Sequence, residues 1–463
     1  MKRSLLGLLT IILFLGFYLF PAPIRTFAAS AFKAKDPGVR PGALSAGDPV
    51  DGLSLTQLVF FNAGKEDFEG EEGVANGLGP RMNLDSCVGC HSFPASGGAS
   101  PFVNPQVAFA KKNGAANVIP PFITLNGPVR EARLIKHRDG SPDGGVQALF
   151  TIAGRSDAPG CAASQPDFNL ELARNNIALR IPTPLFGAGL IEQIPDRAIL
   201  ANQAADQEKK AALGIRGRAG FVRFGGVQAK PVSGIANTST NDGTVARFGW
   251  KAQNKSLMLF AAEAYNVEMG ISNEMFPSER DETPDCQFST TPNDSTNTDA
   301  MTHEDMMGGI EKFAFFMRFL APPAPSADNP SVARGRGLFA SIGCALCHTP
   351  TLYTGNATVA ALRNKPVNLY SDLLLHDMGP GLEDGVSQGQ AGPRDFRTAP
   401  LWGLGQRIFL LHDGRTTDLL QAIYQHRSGN GPRNGSEANA VIDNFAAFGE
   451  NDKQDLLNFL RSL

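Results

Sequence analysis

The chain has 463 residues, with 42 Lys and Arg against 45 Asp and Glu and a formal net charge of −3 at pH 7. Such mild acidity gives no reason to expect nucleic-acid binding, and the length leaves room for two or three domains at roughly 150 residues each. With 50 Gly and 32 Pro but only 5 Tyr and 2 Trp, the composition predicts short helices joined by long ordered loops rather than a sheet-rich fold.

Residues 1–31 read as an export signal: Lys2 and Arg3, an apolar run over residues 5–20, then Ala29-Ser30-Ala31 in the small-x-small form that a signal peptidase cuts. The run of 16 residues falls short of the roughly 20 that a membrane span needs, so cleavage near Ala31 is expected rather than an uncleaved anchor. The destination is then a bacterial periplasm, with no stable membrane association. The mature chain would carry 39 basic and 45 acidic side chains, a net of −6.

Residues 36–51, rich in Pro, Gly and Asp, predict an extended lead-in. Leu53, Leu55, Leu58, Val59 and Phe61 follow at helical spacing, with Gly64 able to end the helix. That helix leads to Ser86-Cys87-Val88-Gly89-Cys90-His91. Cys-x-x-Cys-His is a covalent haem attachment signature, because two thiols three positions apart can add to two vinyl groups while the next imidazole reaches the iron. A thiol redox pair has no use for the His, and a structural zinc site wants a second Cys or His pair at short spacing, which is missing.

Residues 92–150 lack helix periodicity and read as a long ordered extension, of the kind that is usually functional. A helix is predicted over 196–213, polar loops over 237–243 and 286–299, and a helix over 304–320 with Ile310, Phe313, Phe316, Met317 and Leu320 on one side. The Pro-rich stretch 321–330 reads as a semi-rigid linker, placing a domain boundary at 325/326. Beyond it, an amphipathic helix over 333–343 delivers its end to a second motif, Cys344-Ala345-Leu346-Cys347-His348. A final helix over 452–463 would pack against it, the pairing that a single-haem cytochrome c domain uses. The expected architecture is mainly α: two cytochrome-c-like domains, 32–325 and 326–463, with long ordered loop extensions.

Four cysteines thus go to two covalently bound c-type haems, with His91 and His348 as iron ligands. Cys161 and Cys286 remain, either as one disulfide in an oxidising compartment or as two buried thiols. Residues 248–257 and 410–419 form an internal repeat, a turn followed by an apolar helix, in which Trp250 and His412 share an offset. In the second copy, Leu419, Ile423 and His426 fall on one stripe, so His426 is either a second ligand of the second haem iron or a core His bonded to a backbone carbonyl. In the first copy, Leu257, Ala261, Ala264 and Glu268 share a stripe just before Gly270. Burial there would raise the Glu268 pKa and fit it to pass protons near neutral pH; a Glu turned to solvent is the alternative. His137 and His303 read as surface residues. His376 and Met378 are candidates to ligate or line the second haem, and Met258 and Met269 the first.

Taken together, Gly77-Leu78-Gly79-Pro80, Leu185-Phe186-Gly187-Ala188-Gly189-Leu190, Phe248-Gly249-Trp250-Lys251-Ala252, residues 372–379, Phe396-Arg397-Thr398-Ala399-Pro400-Leu401-Trp402-Gly403 and Leu411-His412-Asp413-Gly414-Arg415 resemble the di-haem oxidoreductase family, relatives of bacterial di-haem cytochrome c peroxidases. The resemblance implies bis-His ligation by His348 and His426 where the peroxidases have a Met, with Glu268 at their catalytic Glu and Trp250 at the Trp bridging their haems. The sequence departs from the peroxidases in three places. No His between His91 and His137 can act as a displaceable ligand, which leaves the first haem open; Lys251-Ala252 stands where Asp-Gly-Arg is expected; and Glu268 aligns only with a gap of two residues. The resemblance implies reduction of hydrogen peroxide with electrons from a small cytochrome or cupredoxin. A non-enzymatic di-haem electron carrier and an oxidase modifying a partner protein are the alternatives. No ligand set for a bound calcium ion can be read from the sequence.

Overall fold

The computed structural model describes residues 32–41, 45–115, 118–142, 146–147, 155–163, 165–221, 245–278, 285–431 and 434–463. The expected signal at 1–31, its cleavage point at Ala31 and the polar loop 237–243 lie outside the described residues. Helices dominate what is described, and no strand exceeds four residues.

Two helix pairs organise the chain, each built around a glycine. The helix Leu55–Glu69 starts on a capping box, Ser54 accepting from the Gln57 amide while the Gln57 side chain accepts from the Ser54 amide. It crosses the helix Gly309–Phe319 at Gly64, where a Cβ would stand 2.1 Å from the Lys312 carbonyl oxygen. Gly64 therefore does not end the helix, as the sequence suggested; it lets two backbones touch in mid-helix. Phe61 and Phe68 pack on Phe316 with ring centroids 5.5 and 4.9 Å apart, each buried ring worth roughly 1.5–3 kcal/mol. The second pair is Pro330–Ser341 with Glu450–Ser462, meeting at Gly335, where a Cβ would lie 2.0 Å from the Asp455 carbonyl oxygen. Asn329 caps the first of these through the Val332 amide and Pro330 occupies its first turn, so it begins earlier than the predicted 333.

Other boundaries differ for local reasons. The helix expected over 304–320 is two helices, His303–Met306 and Gly309–Phe319, and the Asp294 carboxylate accepts from the Gly309 and Ile310 amides at the start of the second. The helix expected over 196–213 is likewise split into Asp196–Ala204 and Gln207–Leu213, because Asp206 takes a left-handed φ of 53°. The extension over 92–150 is not wholly irregular. Glu131–Leu134 is the central strand of a three-stranded antiparallel sheet with Val146–Gln147 and Ile177–Arg180, in the register Glu131↔Arg180 and Leu134↔Ile177. Cys161 and Cys286 form a disulfide across 125 residues.

The stretch 321–329 is extended chain between the two helix pairs, but packing crosses it in both directions. The core around Phe61 and Phe316 takes in Leu352, Leu369 and Trp402, while the core around Phe339 and Phe459 takes in Ala34 and Ile215. Residues 34–463 are one compact unit. No helix among the described residues is long and apolar enough to cross a membrane.

Candidate functional site

The first motif is a single helical turn, Cys87–Cys90, closed by the His91 amide on the Cys87 carbonyl at 3.0 Å. Both cysteines and His91 line a cavity of about 1310 Å³, part of it open to solvent. The His91 ring packs edge-on to Phe68 at 6.1 Å, and its Nδ1 donates to the Gly98 carbonyl at 3.0 Å. That bond fixes the tautomer and leaves Nε2 for the cavity. Burial pulls the His91 pKa down to about 4, so the ring is neutral at pH 7 and able to bind a metal.

The helix Leu257–Met269, capped by the Ser256 hydroxyl on the Leu259 amide, contributes Ala261, Ala264, Glu268 and Met269 to the same cavity. Met258 instead packs into the adjoining core. Glu268 is exposed, and the space it faces is this cavity rather than the outer surface. The protein around it still desolvates the carboxyl, and with the charges of Glu131 and Glu263, opposed by Arg133, raises its pKa to about 8. Glu131, Arg133 and Arg180 reach the cavity from the strands that the sequence did not reveal.

The second motif begins at Gly343, whose φ of 106° admits the turn into Cys344–Leu346, and the His348 amide closes on the Cys344 carbonyl at 2.9 Å. Cys344, Cys347, His348 and His426 line a second cavity of about 1570 Å³. His348 Nδ1 donates to the Tyr370 carbonyl at 3.0 Å, and His426, the C-cap of the helix Leu419–Gln425, donates from Nδ1 to the Ala422 carbonyl at 2.8 Å. Each ring keeps Nε2 for the cavity, and Phe339 packs on His348 as Phe68 does on His91. Burial, and after it the charge of His426, pull the His348 pKa down to about 4, and burial also lowers that of His426.

His376 also lines this cavity, but both of its ring nitrogens are engaged: Nε2 with Asp372 at 2.9 Å and Nδ1 with Glu437 at 2.8 Å. Its Nδ1 lies 3.7 Å from Cys347 Sγ. It is held between two carboxylates, which leaves no nitrogen for iron. Met378 lines the cavity, whereas His137 lies exposed in a loop and His303 is exposed at the start of the helix His303–Met306.

The repeat is visible in the backbone. Phe248 and Leu410 donate to the carbonyls of Asn254 and Thr416 at 3.0 and 2.9 Å, closing two turns of equal length. The left-handed residues correspond, Gly249 with Leu411 and Ala252 with Gly414, as do the helix caps Ser256 and Asp418. In this register Ala264 lies as far beyond Trp250 as His426 lies beyond His412, and each faces its own cavity. A methyl group stands in the first half where an imidazole stands in the second.

Trp250 lines both cavities, as do Ile181 and Pro182. Its Nε1 donates to the Ile181 carbonyl at 3.0 Å, and His412 lies edge-on to it at 6.4 Å. Lys251, in place of the Asp of the second copy, is fully buried and pairs with Asp384 at 2.9 Å; Asp384 also bonds Arg180 at 2.8 Å. Burial brings the Lys251 pKa down to about 8 against the pull of Asp384. The sequence pointed to none of Arg180, Asp384, Glu131 or Arg133, whereas Ala264 could have been found by extending the repeat.

Each cavity thus combines an apolar lining, two thiols three positions apart and a neutral imidazole oriented by a carbonyl, a set that fits a haem. Among solved structures, the chain is similar to hydrazine synthase of Kuenenia stuttgartiensis (16% identity, 35% of this chain and 56% of that one, TM-score 0.23). It is also similar to a MauG-like protein associated with microbial copper homeostasis (19% identity, 36% and 58%, TM-score 0.23). This chain spans a little over half the length of each of these two solved chains. No curated protein matches in sequence. Residues 133–463 match the family model described as "Di-haem oxidoreductase, putative peroxidase", which covers well over half of the chain and includes the second motif, Trp250, Glu268 and His426. The chain belongs to the di-haem oxidoreductase family.

Proposed function

We propose that this is an exported, periplasmic c-type di-haem peroxidase, built from two cytochrome-c-like halves, that reduces hydrogen peroxide at the first cavity with electrons entering through the second. Two haems supply the redox chemistry when bound, one tethered to Cys87 and Cys90 with His91 as ligand, the other to Cys344 and Cys347 with His348 and His426. Reducing peroxide to two waters consumes two electrons and two protons, so the open site needs an acid that is still protonated at neutral pH. The Glu268 carboxyl holds that proton, its pKa raised to about 8 by burial and by Glu131, and delivers it to the departing oxygen. Trp250, fixed by its bond to Ile181, offers an aromatic path between the two cavities. A small cytochrome or cupredoxin is the proposed donor.

The observation that carries this reading is the asymmetry between the halves: Ala264 with a protonated acid in one, His426 in the other. A pure electron carrier has no need to leave one cavity without a second imidazole and to set a protonated acid facing into it. Absorption and EPR spectra of the resting protein test the reading. One high-spin haem that reacts with cyanide and peroxide is expected beside one low-spin haem; two low-spin haems in every redox state would refute it.

A further inference from the structure

Two guanidinium groups on the second cavity have no anionic partner. Arg397 is buried and Arg407 half-buried, and both line the second cavity together with the thiols and imidazoles. Arg397 donates from Nε to the Gly249 carbonyl at 2.8 Å and from Nη1 to the Thr398 carbonyl at 3.4 Å. Arg407 donates from Nη2 to the Pro400 carbonyl at 2.9 Å, and its buried Nε has no partner. No carboxylate among the described residues pairs with either. Burial, and after it the charge of Arg407, pull the Arg397 pKa down to about 10, and burial does the same to Arg407.

The other buried arginines are treated differently. Arg180 bonds Asp384, Arg247 bonds Asp196, Arg318 bonds Glu192 and Arg461 bonds Asp36. Two neighbouring guanidinium groups left without such a partner would be strongly destabilising, because desolvation and mutual repulsion add. Their place in the fold suggests what offsets this. The Arg397 amide donates to the Trp250 carbonyl at 2.9 Å, and both arginines also line the small cavity that adjoins Trp250 and Gly249. They stand on the side of the second cavity that faces the first.

We propose that Arg397 and Arg407 clamp the two propionates of the second haem and so turn that edge of the porphyrin toward Trp250. The inference rests on the reading that the second cavity holds a haem. Guanidinium and carboxylate match in shape and charge, and the clamp provides the missing anions while fixing which edge of the haem meets the aromatic bridge. It also keeps the propionates ionised, so their own charge stays constant around neutral pH.

The test is potentiometry on each haem of the intact protein, with haem content measured by mass. In the parent, the midpoint potential of the low-spin haem should be flat between about pH 5.5 and 7, because paired propionates titrate below that window and Lys251, which lies over Phe396 on the wall of the second cavity, titrates above it at about 8. In R397Q and R407Q it should fall at pH 8, by at least about tenfold in the reduced-to-oxidised ratio, or 59 mV for one electron. It should also become pH-dependent, and R397K and R407K should retain most of the parent behaviour. If the Gln variants lose the second haem, the parent alone decides: its propionate-bending modes in resonance Raman should not titrate above about pH 5. Propionate modes that titrate near pH 6 in the parent, or Gln variants that load both haems and keep the parent potential, would overturn the clamp and leave the di-haem reading intact. A parent with a single haem would overturn the di-haem reading instead.

Discussion

Replacing Glu268 with Gln keeps the shape of the side chain and removes its titrating proton. With a pKa of about 8, the native carboxyl is about 90% protonated at pH 7, whereas an unperturbed glutamate would be protonated well below 1% of the time. A positioned acid contributes roughly 10²–10⁴-fold, so the variant should lose that much of kcat/KM for peroxide, about 3–5 kcal/mol of transition-state stabilisation. The sign of the pH dependence follows from the direction of the shift. A raised pKa keeps the acid form present below 8 and loses it above, so parent activity should fall about tenfold per pH unit beyond 8, and this limb should be missing from E268Q. Glu131 adds to the shift, so E131Q should move the limb to lower pH without removing it. The assay is stopped-flow peroxide consumption from the pre-reduced protein, with both haems verified by absorption. An E268Q protein that keeps a third or more of the parent rate, or an alkaline limb that survives in it, would refute the role of this carboxyl.

The repeat predicts that Ala264→His places an imidazole where the second half has His426. The high-spin signal should vanish and peroxide reactivity drop by at least about 100-fold, both visible in spectra of the resting protein. His426→Met should raise the potential of the second haem alone, since a thioether favours ferrous iron more than an imidazole does; a shift confined to the first haem would show that His426 is misassigned. Replacing Cys161 and Cys286 by Ser opens a loop of 125 residues, which costs about 5 kcal/mol in the chain-entropy model and should show as a lower urea midpoint with unchanged haem spectra.

The two Cys-x-x-Cys-His motifs were legible because the chemistry proposed for them is local: two thiols three apart and an adjacent imidazole come from one turn of chain. The repeat was legible for a related reason, since a turn closed on itself and a capped helix are set by a dozen consecutive residues, and they brought out Trp250, His426 and Glu268. Gly64 shows where that reach ends. In sequence a glycine after an apolar run reads as a stop, and only the Lys312 backbone lying against it makes it a crossing point. The acidity of Glu268 likewise depends on Glu131 and Arg133, more than a hundred residues upstream on a strand too short to leave a periodic trace. Arg397 stands in a stretch that carries the family resemblance, but nothing in the sequence marks it, Arg407 or Asp384 for burial, and the fold alone sets the two arginines on the second cavity and Asp384 between Arg180 and Lys251. Bonding geometry within a turn is written in neighbouring residues, whereas desolvation and charge pairing are sums over everything nearby in space, which no window of sequence contains.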